Sequence, residues 1–339
     1  MTDCPEDLVY VGEGSPGFLR KKIGRGFVYL DKKGEKIAKK RVLERIQLLV
    51  IPPMWKDVWI CKNSKGHLQV TGFDARGRKQ YIYHPDWTAF RQNSKYGRLE
   101  KFGKKLPQIR KSVERDLRKK GWPREKILAL IVMMLDEYFI RIGNKYYEHE
   151  NKTYGLTTLR RKHIVEEDGK LYLQYKAKSG KDRKIKVESK RLINLIKKTS
   201  ELPGYEIFKY QDASGSYHRL QSHDVNQYLA LISGEPFTAK DFRTWGGTVS
   251  AMDHYPESLE MVREFPNRKL DATIIKKVAE VLGNTTAVCR KYYIHPKVMQ
   301  VLLEGTLGRF EKRKLKGVTD PDQLTENEQT VLKILAAKF

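Results

Sequence analysis

The chain has 339 residues, 40% of them hydrophobic, enough for one large or two ordinary domains with real cores. Its 67 Lys and Arg against 41 Asp and Glu leave a net charge of +26 spread along the whole length, which points to a polyanionic partner, nucleic acid first. No apolar run reaches a membrane span, the acidic N-terminus lacks a signal peptide, and Cys4, Cys61 and Cys289 lie far apart without CxxC pairing; this excludes membrane insertion, a disulfide framework and a structural zinc, and leads us to expect a cytoplasmic, nucleoid-associated protein.

Residues 1–90 read as a small, mostly β domain. GFVYLDKKGEKI (26–37) is expected to be a hairpin turned at Lys33–Gly34, and VLERIQLLVIPPMW (42–55) a helix stopped by Pro52 and Pro53. DVWICKNSKGHLQVTGFDARGRKQYIYH (57–84) alternates apolar and polar residues between glycine turns, as half-buried strands do. Residues 88–105 lose the apolar periodicity and are rich in Lys, Arg and Gly, so a basic linker or hinge is expected, with 91–105 as its span. A larger, mainly helical domain follows over 106–310. It opens with a basic helix (106–120), then PREKILALIVMMLDEYFIRIG (123–143), apolar on nearly every face and so buried. GLTTL (155–159), KHIV, LYLQYKAK and RKIKV, with turns at Asp168–Gly169 and Ser179–Gly180, predict a small antiparallel sheet before helices resume. Residues 311–339 read as a basic tail with one short amphipathic helix. The fold class expected is α+β.

Metal and nucleotide signatures are absent. Gly103–Lys104, Gly169–Lys170 and Gly180–Lys181 lack the other residues of a P-loop, and Asp320–Pro321–Asp322 is a poor scaffold for magnesium, so no cofactor and no metal are expected. Chemistry on a phosphodiester would then need cations to balance the non-bridging oxygens, an acid for the leaving oxygen, and a nucleophile. Two arginines sit in apolar, glycine-flanked contexts that would hold them: Arg141 in FIRIGNKYY and Arg243 in KDFRTWGGT. Each needs an anionic partner. That partner is either an internal carboxylate (Asp136 or Glu137 for Arg141, Asp241 or Asp253 for Arg243) or a phosphate. Lys178 and Lys181, on the LYLQYKAKSGKDRKIKV hairpin, are the candidate acids, against a plain solvated loop. In GNTTAVCRKYYIHP (283–296), Tyr292 and Tyr293 offer phenols, as core filling or as nucleophile.

FIRIGN, KAKSGKD, KDFRTWG and GNTTAVCRKYY, in this order and at these separations, resemble the type IB DNA topoisomerases of the short poxviral and bacterial kind. The likeness runs from GRGFVYLD near residue 24 to about residue 305. It implies a β-rich N-terminal domain and a helical catalytic domain forming a C-shaped clamp on double-stranded DNA, a monomer on that DNA, and no ATP or obligatory metal. It further implies that Arg141 and Arg243 clamp the scissile phosphate and that Lys178, preferred to Lys181 on family register, protonates the 5′ oxygen. Tyr293, nine positions after Asn284, becomes the nucleophile that forms a 3′-phosphotyrosyl bond, with Tyr292 a packing neighbour. Poxviral members carry histidine where this chain has Asn284; asparagine donates a hydrogen bond but shuttles no proton, so its implied role is electrostatic. Nine residues of straight helix turn through about 900°, so Asn284 and Tyr293 can meet one phosphate only from opposite ends of a helix, for which Asn284 as N-cap and Pro296 as a stop are suited. Gln80, Tyr81 and Tyr83, with Tyr147 and Lys240, match DNA-contacting positions; for the two strand tyrosines the alternative is a core face. A tyrosine recombinase is the nearest rival, but those enzymes usually carry histidine three positions before the second arginine, where this chain has Lys240. A noncatalytic DNA-binding protein would explain the charge and leave the cluster to chance.

Overall fold

The computed structural model describes residues 4–12, 14–311 and 315–337; residues 1–3 of the expected N-terminal domain, and 312–314 and 338–339 of the expected tail, lie outside the described residues. The chain divides into two compact units between Tyr96 and Gly97.

In the first unit, β1 (Gly17–Ile23) and β2 (Gly26–Leu30) form a hairpin whose turn is allowed by Gly24 at φ +55°. The expected turn at Lys33–Gly34 is also present, with Asp31 N donating to the Glu35 carbonyl and Ile37 N to the Tyr29 carbonyl at 2.9 Å each, but the returning chain makes one bridge, Leu30 with Lys36, rather than a strand. Helix α1 (Lys40–Leu48) ends before the prolines, at Leu49 and the left-handed Val50 (φ +48°). β3 (Lys56–Cys61), β4 (Leu68–Phe73) and β5 (Lys79–Tyr83) complete an antiparallel sheet of order β2-β1-β3-β4-β5. Phe18, Val58, Ile60 and Val70 on one sheet face pack with Ile46 of α1 into a small core.

Residues 88–105, expected as a basic linker or hinge, are helical rather than irregular: α2 (Pro85–Gly97) and α3 (Leu99–Leu117) are separated by Arg98 alone, and the division into units falls within the expected span. Their lysines mask an apolar stripe, Leu99, Phe102, Leu106, Ile109 and Val113, spaced three and four apart and fully buried. Gly103 stays inside α3 because the Trp245 ring lies against it; a Cβ there would meet Trp245 Cη2 at 2.3 Å. α4 (Arg124–Tyr138) is buried from Ile127 to Leu135 except for Met133, and α5 (Lys145–Asn151) follows. GLTTL is a 3-10 turn (Leu156–Thr158) rather than a strand, its threonines buried and its amides spent on the chain near Arg141. β6 (Ile164–Glu167), β7 (Lys170–Lys176) and β8 (Asp182–Val187) make the expected antiparallel sheet, with left-handed Asp168–Gly169 and Ser179–Gly180 at its turns. Then come α6 (Lys190–Glu201), the short pair β9 (Lys209–Gln211) and β10 (Tyr217–Arg219), α7 (Ser222–Ser233), α8 (Ala239–Asp253), α9 (Tyr255–Glu264), α10 (Leu270–Leu282), α11 (Thr286–Tyr292), α12 (Pro296–Leu303), α13 (Gly308–Glu311) and α14 (Glu326–Leu335). α8 is buried along nearly its whole length and forms the axis of this unit. The short helix foreseen in the tail, α14, buries Val331, Leu332, Ile334 and Leu335 in the same core. No described helix is long and apolar enough to cross a membrane.

Candidate active site

α4 ends because Phe139 turns left-handed (φ +51°), and the chain then leaves the helix through Arg141 without regular structure. There the Arg141 carbonyl accepts from Leu156 N at 2.9 Å and the Ile142 carbonyl from Thr157 N at 2.7 Å. Gly143 and Gly155 let the two segments touch: a Cβ at 155 would fall 2.4 Å from the Arg141 carbonyl. The backbone of Arg141 is therefore fixed, and its guanidinium donates to Asn284 Oδ1.

Arg243 projects from the middle of α8 and is 4% exposed. Its Nη1 donates to the Phe139 carbonyl and its Nη2 to the Leu282 carbonyl at 2.9 Å, while Nε is buried with no partner. Asn284 Nδ2 is likewise buried, with no oxygen acceptor and only the weakly accepting Cys289 thiol beside it. Two unspent donors in one buried cluster are costly unless something accepts from them.

Asn284 is not the N-cap of α11, which corrects the sequence expectation. Gly283 (φ +59°) closes α10, Asn284 N returns to the Ala279 carbonyl at 2.9 Å, and the cap is Thr285, whose Oγ1 accepts from Val288 N at 3.3 Å. With Thr285 capping, the Asn284 side chain is left to receive Arg141. Tyr293 closes the other end of α11, so the two residues do sit at opposite ends of one short helix. Thr248 Oγ1 of α8 lies 3.3 Å from the Tyr293 carbonyl and accepts from His295 N at 3.1 Å. Gly247 makes this approach possible: a Cβ there would lie 2.8 Å from the Tyr293 carbonyl oxygen. Arg243 Cζ stands 5.2 Å from the centroid of the Tyr293 ring, a cation facing the phenol. Tyr292 is 37% exposed, beneath Lys291.

Burial, and next the nearby charge of Arg243, hold the Arg141 guanidinium below its ordinary value, with the Tyr293 and Tyr175 phenols acting the other way. None of the carboxylates expected as internal partners serves. Asp136 is bound by Arg110 at 2.7 Å, Asp241 accepts from Thr238 N at the start of its own helix at 2.7 Å, and Asp253 takes Asn327 at 2.7 Å. Glu137 lies within the influence of Arg110 and Arg191. Among the described residues neither Arg141 nor Arg243 has a carboxylate partner. Burial raises the Cys289 thiol, which neighbours Asn284, Arg243 and Lys181.

The two hairpin lysines differ. Lys178 is exposed at the tip, whereas Lys181 is half-buried and its charge reaches Cys289, four residues before Tyr293. Arg183, on the same hairpin, donates to the Glu280 and Val281 carbonyls at 2.9 Å each. Sequence reasoning missed Arg183, Thr248 and Gly247. A signal for the first was present, since Arg183 alternates with Ile185 and Val187 on the inward face of β8.

In the first unit, Tyr81 and Tyr83 stack at 6.1 Å and are 46% and 42% exposed, so they are not a core face. Gln80 is tied to Asp74 Oδ2 at 3.0 Å. Tyr147 on α5 is 57% exposed and meets Tyr146 edge-on, and Lys240 is exposed in the first turn of α8. Among the described residues no three His, Cys, Asp or Glu side chains are grouped to hold a metal ion.

Residues 84–316 match the eukaryotic DNA topoisomerase I catalytic-core family, and residues 26–74 match the bacterial DNA topoisomerase IB N-terminal domain. The chain is 31% identical over 289 residues to DNA topoisomerase 1B of Acanthamoeba polyphaga mimivirus, covering 82% of this chain and 85% of that protein. It is 26% identical over 244 residues to DNA topoisomerase 1 of Rabbit fibroma virus (strain Kasza), covering 71% and 74%. Against DNA topoisomerase 1B of Vaccinia virus (strain Copenhagen) the figures are 25% over 266 residues, covering 76% and 81%.

Proposed function

The chain belongs to the type IB DNA topoisomerase family, isomerases that act on DNA, and from that premise we propose that Tyr293 is its nucleophile and that Arg141, Arg243 and Asn284 hold the phosphate it attacks. One observation carries this reading: a buried and a half-buried guanidinium meet at a tyrosine with no carboxylate between them, Arg243 Nε is left without an acceptor, and Asn284 Nδ2 has only the Cys289 thiol beside it. A phosphate supplies the missing acceptors and the missing negative charge.

The Tyr293 hydroxyl loses its proton to solvent and attacks phosphorus; the P–O5′ bond breaks as the P–O(Tyr) bond forms. The departing 5′ oxygen takes a proton from a hairpin lysine. The half-buried position of Lys181 and its reach to Cys289 favour it over the exposed Lys178 that family register suggested. The phosphotyrosyl ester roughly preserves the energy of the bond it replaced, so the reverse step reseals the strand without ATP, and the free duplex end rotates in between to release supercoils. Lys240, Tyr147 and, from the first unit, Gln80, Tyr81 and Tyr83 bind the flanking backbone and groove; the exposure of the stacked Tyr81–Tyr83 pair supports this for the latter two. The partner is double-stranded DNA, engaged by a single copy of the chain in the cytoplasm at the nucleoid; sedimentation on a short duplex with more than one chain bound would refute the monomer.

Plasmid relaxation without magnesium or ATP tests the reading. Wild type and Tyr292→Phe relax the plasmid and Tyr293→Phe does not, with the covalent adduct mapping to Tyr293. Full activity in Tyr293→Phe would mean that another group is the nucleophile.

A further inference from the structure

The hairpin that carries the lysines is seated by the buried Tyr175 and Ala177 and by Tyr154 N, which donates to the Lys176 carbonyl at 2.8 Å, and one further side chain ties it to a different helix. Its tip, 177–181, is a tight turn closed by Ala177 N to the Lys181 carbonyl at 2.7 Å, with Ser179 and Gly180 both left-handed. Immediately inside that turn, Arg183 pairs across the ladder with the buried Tyr175. Arg183 then reaches out of the sheet: Nη1 donates to the Glu280 carbonyl and Nη2 to the Val281 carbonyl, both at 2.9 Å. These are last-turn carbonyls of α10, where a cation is favoured; the Glu280 carbonyl also accepts from Gly283 N of the helix cap at 3.2 Å. The guanidinium lies over Gly283, where a Cβ would come within 2.7 Å of Arg183 Nη1. The next residue is Asn284. One forked side chain thus fixes the lysine-bearing turn against the helix end that presents Asn284, and it does so two residues from Lys181.

We propose that Arg183 is a positioning residue: its two bonds to the end of α10 set the hairpin so that the lysine ammonium meets the leaving 5′ oxygen of a phosphate held at Asn284 and the two buried arginines. Arg183 itself touches no substrate, because its fork is spent on the two carbonyls. The proposal rests on the reading of a hairpin lysine as the acid. It predicts a defect confined to proton delivery, leaving the phosphate clamp and the nucleophile intact.

Proton delivery can be bypassed chemically. A duplex whose scissile 5′ oxygen is replaced by sulfur departs as a thiolate, which needs no proton because a thiol is far more acidic than an alcohol. Single-turnover cleavage of the ordinary and the sulfur duplex is measured for wild type, Arg183→Ala, Arg183→Lys, Lys178→Ala and Lys181→Ala. Arg183→Ala is expected to slow cleavage of the ordinary duplex by about 100-fold, the scale of a lost general acid, and to cleave the sulfur duplex at close to the wild-type rate. Arg183→Lys, which keeps the charge but not the fork, falls between, and it carries the test if the alanine variant does not fold. One lysine variant shows the same selective recovery. If that lysine variant recovers while both Arg183 variants are equally slow on both duplexes, the positioning role is overturned and the acid reading stands. If neither lysine variant recovers, the acid reading is wrong and the role given to Arg183 falls with it.

Discussion

Two arginine centres in the same unit hold buried or half-buried guanidinium groups in opposite ways. Arg110 of α3 is enclosed by carboxylates: Nε and Nη2 donate to Asp136 at 2.7 and 3.1 Å, Nη1 and Nη2 to Glu328 at 2.9 and 2.8 Å, and Glu328 also accepts from Trp245 Nε1 at 3.0 Å. That network joins α3, α4, α8 and α14, and two carboxylates answer the one guanidinium, so its positive charge is fully spent inside the fold. At Arg141 and Arg243 the partners are one amide and two carbonyl oxygens, the two cations press on each other, and buried donors remain unspent. A guanidinium balanced within the fold is a structural tie. One held in place but left unbalanced is a receptor for an anion.

The sharpest way to break this comparison is to delete one cation from each centre. Arg110→Ala leaves Asp136 and Glu328 facing each other unpaired and is expected to lower stability by about 3–5 kcal/mol, with adduct formation per folded molecule close to wild type. Arg243→Ala should do the reverse, cutting single-turnover adduct formation by about 10²–10³-fold while thermal melting changes little. Equal losses of stability in both variants would erase the distinction. Gly247→Ala tests how closely α8 must approach the nucleophile: the new methyl would sit 2.8 Å from the Tyr293 carbonyl oxygen, and a displacement near 1 Å is expected to cost roughly 10²-fold in cleavage rate with DNA affinity kept. A smaller effect separates the centres without DNA. Sulfate at about ten times its Kd should stabilise the wild type by roughly 1.4 kcal/mol, stabilise Arg110→Ala by a similar increment, and leave Arg243→Ala unmoved in thermal melts. A test by pH rather than by ligand comes from His295, two residues past Tyr293, where burial and then Lys297 push the imidazole down from 6.5 to about 4. The folded state prefers the neutral ring, so this contribution is complete above pH 6.5 and is lost as pH falls towards 4. His295→Gln should flatten that part of the stability curve.

The cluster was legible because its residue types sit in apolar contexts that cannot tolerate them idly: Arg141 between isoleucines, Arg243 beside Phe242 and Trp245. Periodicity likewise announced the strands of the first unit and the buried α4. What escaped the sequence depended on a partner far along the chain. Gly103 reads as a helix breaker until Trp245 is seen to occupy the space where its side chain would be, which is why α2 and α3 looked like a linker. Gly247 is an ordinary glycine until Tyr293 is placed against it, and Glu328 looks like tail charge until Arg110, 218 residues away, is brought to it. The choice between Asn284 and Thr285 as cap turned on which side chain the helix end took first.

The oxygens that hold Arg243 belong to the final turns of two helices, Phe139 at the close of α4 and Leu282 at the close of α10. Each such terminus carries about half a negative elementary charge from its aligned peptide dipoles, so the pair offsets roughly one of the two positive charges of Arg141 and Arg243 before any nucleic acid arrives, and the other is left for the anion. Arg243 is thereby nearly neutral to loosely held counterions, though its unspent Nε still offers a donor to an anion that enters the site. It should add little to the ions that duplex binding expels, and replacing it should leave the dependence of affinity on salt unchanged even as it removes the chemistry, whereas each phosphate-binding surface lysine removed should flatten that dependence by about 0.9 in log–log slope.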